Sequence, residues 1–360
     1  MRTAHTIETG ASPLRVADEI EALGAAPARL ERWRLPRIGY HPVVHAVRDS
    51  GGELIAAALT SGRPATSARK IVDLWWTEEF AAAAVLDAVV DDARRNGAVA
   101  IKWEIAGGAS APAFLSDRGF EAMRRPWAAV GTEQVDGYVL WLAASHHEEP
   151  GYYAQTTLFT CGAVAALMAS EGTAGGGFHG DESDRELEID FWRRASNYPA
   201  CEPIGLAVAV HDHLAHTPVE VALDLDGPAL LEGFTGFDRS FREELQADSL
   251  RQATARGIGV RRDRVTVSEI VTRVGNGERA LLLIDEAPMH GEAGPHWILA
   301  HSVVGGSVVV EDPWISVDAG ETWVDTHELP VRPDDLDDLV RWGPDGYRGV
   351  IFLPAVSGHG

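Results

Sequence analysis

Residues 145–151 read Ser-His-His-Glu-Glu-Pro-Gly, five polar side chains followed by a Pro-Gly pair. No buried strand or helix runs through such a stretch. Proline lacks a backbone donor, and both closing residues favour turns. The break divides a chain of 360 residues, which suits two domains of about 100–200 residues each.

Before the break, strand and helix patterns alternate. Residues 41–49 and 51–62 read as paired strands around Ser50-Gly51-Gly52, and 70–76 as a third strand. Thr77 is expected to cap a helix that Gly97 ends, with Leu86, Val89, Val90 and Ala93 on its buried face. Residues 99–105 alternate as a half-buried strand, 111–120 hold a short helix, and 137–144 close the unit as a strand. Past the break, helices are expected at 184–195, 203–215 and 239–257. Strands are expected at 279–285, 296–304, 307–314 and 348–355. The fold class is therefore α+β: a mixed-sheet domain over 26–145 and a second domain over 150–358, preceded by a loosely ordered tail over 1–25.

The formal net charge of −23 repels phosphate backbones and favours a neutral or basic substrate, so nucleic acid is not an expected partner. Two cysteines do not make a disulfide scaffold and fit a reducing compartment. The N-terminus lacks a signal-peptide apolar core, and no apolar run is long enough to span a bilayer. A soluble cytoplasmic protein, with no membrane partner, is expected.

One cysteine, Cys161, stands where the helix-forming run CGAVAALMAS begins. A helix N-terminus favours the thiolate, which is the nucleophilic form of cysteine. Cysteine chemistry also needs a base, a group to orient that base, and donors for an oxyanion. Gln155, six residues upstream, could supply a side-chain donor alongside the Cys161 N–H. His296 opens a late strand and could be the base; Asp312, on the next strand before a proline, could orient it. A two-residue turn at Gly305-Gly306 would set Asp312 opposite Leu299, about 10 Å along the strand from His296. A bulge near the glycines would bring the two together. Trp297, beside the base, is expected in the cleft wall, and Gly162 is expected to contact substrate.

These motifs, QTTLFTCG with a small-residue helix, PHWILAH and VVVEDPW, resemble the papain-like peptidases that cut after double-glycine leaders. The resemblance covers about residues 150–355 and implies Gln155 as oxyanion donor, Cys161 as nucleophile, His296 as base and Asp312 as orienting acid. Ala163 departs from the proline usual after Cys-Gly in that family. The N-terminal half resembles the GNAT acetyltransferase fold in its strand, long helix, strand and Gly-Phe ending. Acyl-CoA binding in that fold uses a glycine-rich loop just before the long helix. Here no glycine lies between Gly62 and Gly97, and Glu78 and Glu79 would repel phosphate, so the half is expected not to bind acetyl-CoA and no cofactor is assigned.

Cys201 also precedes a helix but has no upstream glutamine, and reads as a structural thiol; a Cys161–Cys201 disulfide is disfavoured in a reducing compartment. His211, His213 and His216 match no zinc spacing, His301 reads as a packing histidine, and Asp334–Asp338 reads as a solvated helix start, so no metal is expected. The expected function is a cysteine hydrolase cleaving a peptide or amide, such as a precursor peptide encoded beside its gene. The alternatives are an amide-forming acyltransferase at the same site, a CoA-dependent N-acetyltransferase in the first half, and a non-catalytic peptide-binding protein.

Overall fold

The computed structural model describes residues 5–127, 135–196, 198–215 and 217–355. The chain forms two compact units. The first comprises Met1–Met123, Gly131–Ser145 and Ser316–Asp325; the second comprises Arg124–Val130, His146–Ile315 and Thr326–Gly360.

The first unit is built on β1 (Thr6–Thr9), β2 (Val43–Arg48), β3 (Leu54–Ser61), β4 (Ala68–Trp76), β5 (Ala100–Ala106), β6 (Glu121–Ala122) and β7 (Val135–Trp141), in the order β1-β2-β3-β4-β5-β7-β6. Only β4 and β5 run parallel, and they pair over Ala68–Ile71 alone. Strand alternation sorts β3 between two cores. Ala56 and Ala58 face the helix Glu79–Arg95, while Ala57 and Leu59 face the helices Pro13–Ala22 and Pro27–Arg34. The helix Glu79–Arg95 buries Leu86, Val89, Val90 and Ala93, as their spacing predicts. Two residues separate its start from the end of β4. Thr77 does not cap it; its hydroxyl donates to the Ile55 carbonyl at 3.2 Å, and Glu78 holds the cap position. The first 25 residues, expected as a loose tail, include β1 and the helix Pro13–Ala22, whose Val16, Ala17 and Ile20 are fully buried.

The segment Ser316–Asp325 brings buried carboxylates to this unit. Glu321 pairs with Arg63 at 3.1 Å and accepts from the Tyr40 hydroxyl at 2.9 Å. Lys70 pairs with Glu104 at 2.6 Å and with Asp325. Burial opposes the Lys70 charge, but Asp325 and Glu104 outweigh it and hold the ammonium pKa above its usual value.

The second unit's sheet holds β8 (Glu220–Leu223), β9 (Gly259–Arg261), β10 (Arg279–Asp285), β11 (Pro295–Val304), β12 (Ser307–Glu311), β13 (Leu329–Val331) and β14 (Gly349–Leu353), in the order β13-β12-β11-β10-β14-β8-β9. All neighbours are antiparallel except β8 and β9. The helix Cys161–Ala169 is buried at every position and packs on β10 and β11. That burial follows from its composition, which has no polar face. The expected helices appear as Asp184–Ala195, Pro203–His213 and Gly236–Arg256. β8 and the helix Val267–Gly275 were not anticipated. Among the described residues, no helix is long and apolar enough to cross a membrane. His216 lies outside the described residues.

Candidate active site

The hairpin β11–β12 decides whether His296 and Asp312 can meet. Val304 does pair with Ser307, as a two-residue Gly305-Gly306 turn requires. The register then slips between Ala300 and Ser302, so that Leu299 faces Glu311. His301 is the extra residue of a bulge. Continued by one residue, this register puts Asp312 opposite Ile298, on the same sheet face as His296 two positions away. An unbroken register would have turned Asp312 to the other face. The outcome is a hydrogen bond of 2.7 Å from His296 Nε2 to Asp312 Oδ1.

Asp312 is held from several sides. Oδ1 also accepts from the Trp314 N–H at 2.8 Å. The backbone N–H donates to the Thr326 carbonyl at 3.0 Å, and the backbone carbonyl accepts from the Tyr152 hydroxyl at 2.9 Å. The Thr326 hydroxyl fixes that Tyr152 hydroxyl in turn at 2.7 Å.

His296 also has Cys161 beside it, close enough for the sulfur to act on the imidazole. Because Nε2 is engaged by Asp312, Nδ1 is the nitrogen left for the sulfur. Burial alone would lower the His296 pKa; the charges of Asp312 and Cys161 outweigh it and raise the pKa well above the ordinary histidine value. Cys161 is the first residue of its helix, where N–H groups have no intrahelical partner.

Gln155 is buried beside Asp312's neighbour: its N–H donates to the Pro313 carbonyl at 2.9 Å. Its Nε2 donates to the Thr157 carbonyl at 2.7 Å, and its buried Oε1 has no hydrogen-bond partner. Trp297 and Gly162, expected to face substrate, are both buried behind the nucleophile. Trp297 donates from Nε1 to the Cys201 carbonyl at 2.9 Å. A Cβ on Gly162 would come 3.1 Å from both Cys201 Cβ and Trp297 Cδ1. Glycine there lets the helix start lie close on both side chains. Both cysteines are free. Burial first, then the nearby charges of Cys161 and Glu202, push the Cys201 thiol well up.

Sequence reasoning missed three residues. Glu188, fully buried, accepts from the Thr156 N–H at 2.9 Å, the Thr156 hydroxyl at 2.7 Å and the Thr160 hydroxyl, and so ties down the loop that ends at Cys161. The signal was its place on the inward face of Asp184–Ala195, with Asp184, Phe191 and Ala195. His290 brings Nε2 to 3.5 Å from Asp312 Oδ2. Glu286 has its pKa raised by burial, with His296 opposing and Asp312 adding to the rise. Both residues lie just upstream of His296, in a stretch that carried no motif.

A papain-like arrangement of Cys, His and Asp on an α+β scaffold is thus present in the second unit. Residues 150–354 match the Peptidase_C39 like family, and the chain belongs to that family. Solved structures similar to part of the chain include a GNAT family acetyltransferase from Staphylococcus aureus Mu50, with 12% identity, 39% of this chain and 99% of that chain covered, and a TM-score of 0.31. The ribosomal-protein-S18-alanine N-acetyltransferase of Escherichia coli aligns at 19% identity over 42% of this chain and all of its own, with a TM-score of 0.31. A GNAT family N-acetyltransferase, YhbS, from Escherichia coli in complex with CoA aligns at 20% identity over 40% of this chain and 84% of its own, also at 0.31. No curated protein matches the chain.

Proposed function

We propose that the chain is a cysteine hydrolase that cleaves a peptide or amide bond through a thioester on Cys161. The observation that carries this reading is His296 bonded to Asp312, with Cys161 beside the imidazole. A thiolate–imidazolium pair in that setting attacks a carbonyl carbon with the sulfur lone pair. The oxyanion is met by the Cys161 N–H and by the second N–H of Gln155 Nε2. The tetrahedral adduct collapses, the C–N bond breaks, and the leaving amine takes its proton from His296. Neutral His296 then draws a proton from water as it attacks the thioester, which releases the acid and restores the pair.

Leu158 is 80% exposed three residues before the nucleophile, and Phe159 packs tilted against Trp192, with ring centroids 4.6 Å apart. These apolar side chains form a lip that suits an apolar residue of the substrate. The formal charge of −23 favours a neutral or basic peptide. We place the reaction in the cytoplasm, on precursor peptides encoded beside the gene. The test is intact-mass spectrometry of the protein mixed with such peptides. An acyl adduct on Cys161, absent in Cys161→Ala, supports the reading; undiminished turnover by Cys161→Ala refutes it.

A further inference from the structure

The second unit holds a buried polar cluster that the proposed reaction does not use. It gathers His147, Glu149, His301, Glu311, His327 and Glu328. His147 Nε2 bonds Glu328 Oε2 at 2.6 Å. His327 Nδ1 bonds Glu311 Oε2 at 2.6 Å, and its Nε2 bonds Glu149 Oε1 at 2.8 Å. Those bonds engage one oxygen of each central carboxylate and leave the other, Oε1 in both cases, turned toward His301.

His301 Nε2 lies 3.0 Å from Glu311 Oε1 and 3.5 Å from Glu328 Oε1. Yet neither His301 Nε2 nor Glu328 Oε1, both buried, has a hydrogen-bond partner of good geometry; His301 and Glu311 meet as an ion pair. The His301 and Glu328 side chains are only 4% and 2% exposed, so no bulk water relieves them. A single proton can serve one line between these three atoms; a cation at their centre serves all three.

We infer that His301 Nε2, Glu311 Oε1 and Glu328 Oε1 bind a first-row divalent cation of the zinc or manganese type. The three atoms lie within 4.8 Å of one another. Ligand atoms around a tetrahedral ion at about 2.0–2.1 Å stand roughly 3.3–3.5 Å apart, close to the two separations seen here. One imidazole with two carboxylates selects such an ion over calcium or magnesium, which prefer oxygen alone. His147 and His327 play the outer part expected of a metal site, each fixing the second oxygen of a ligand carboxylate. Glu328 reaches its place with φ at +58°, a left-handed conformation that strains an L residue of this kind. Its N–H donates to both Glu311 oxygens, at 3.1 and 3.2 Å. Because His301 is the bulged residue of β11, the ion would pin the bulge that sets the Asp312 register.

The test strips the full-length protein with a chelator and titrates it with Zn²⁺ and Mn²⁺ by calorimetry. Co²⁺ absorption reports the donor atoms, and melting is followed with and without metal. The expected result is one ion per chain, a melting temperature raised by several degrees at a hundredfold excess over Kd, and a cobalt spectrum without a thiolate band. Folded His301→Ala and Glu328→Gln variants should lose binding by at least tenfold. If neither folds, His147→Gln decides: weakening of about tenfold to a hundredfold supports the site. Absence of binding to the stripped protein, equal binding by a folded ligand variant or by His147→Gln, or a thiolate–cobalt band would overturn it. None of those outcomes bears on an acyl adduct at Cys161, so the two readings fail separately.

Discussion

Asp312 is fully buried, and each of its contacts fixes a different freedom: the side chain through Trp314, the peptide through Thr326 and Tyr152. Its charge raises the His296 pKa against the opposing effect of burial. Asp312→Asn removes that charge, so the His296 pKa falls. The alkaline limb of kcat/KM, set by loss of the imidazolium, then moves to lower pH, which a pH–rate profile of the variant against the parent reads directly. Glu188 makes a second residue-scale case. Glu188→Gln replaces an acceptor oxygen with a donor that faces the Thr156 and Thr160 donors. We expect a loss of about 1–3 kcal/mol in urea unfolding and a fall of tenfold or more in kcat/KM, because the Gln155–Cys161 loop is no longer tied. Cys161, His296 and Asp312 could be picked out of the sequence because each stands at or beside the edge of an element, where a polar residue breaks an apolar pattern; Gln155, in a loop, was picked only by its spacing from Cys161. Glu188 was not, since one acid among several on a polar helix looks solvated until its face is known.

At the scale of elements, long patterns survived folding and short-range geometry did not. The strand Arg279–Asp285 and the helix Asp184–Ala195 fall where periodicity puts them. The bulge in β11 left no sequence mark: the extra residue is a histidine rather than a glycine, and no glycine or proline flanks it. It nonetheless controls the site. Deleting His301 would restore an unbroken ladder and turn Asp312 away from His296. Activity should fall by about a thousandfold or more, the scale of losing a triad member, while circular dichroism still reports a folded sheet. His301→Ala keeps the residue count and hence the register, so it should retain far more activity than the deletion. Equal losses from the two variants would mean that the bulge does not set the geometry.

At the scale of the whole molecule, composition says more about encounter than about chemistry. A formal charge of −23 attracts cationic molecules of any kind, and salt screens that attraction. Stopped-flow association with a basic peptide should slow as ionic strength rises, while a neutral peptide of equal length should show little change. The membership of Ser316–Asp325 in the first unit could not be read from the sequence, because its buried partners Lys70, Arg63 and Tyr40 lie some 250 positions or more away in the chain. The reading of the second unit as an enzyme turns on an ionised sulfur at Cys161, and its alkylation by iodoacetamide across pH, followed by peptide mass spectrometry, measures that state. The account predicts that Cys161 reacts rapidly down to pH 6 or below while Cys201 stays unmodified. A Cys161 rate that climbs about tenfold per pH unit toward 8.5, like an ordinary thiol, would contradict it.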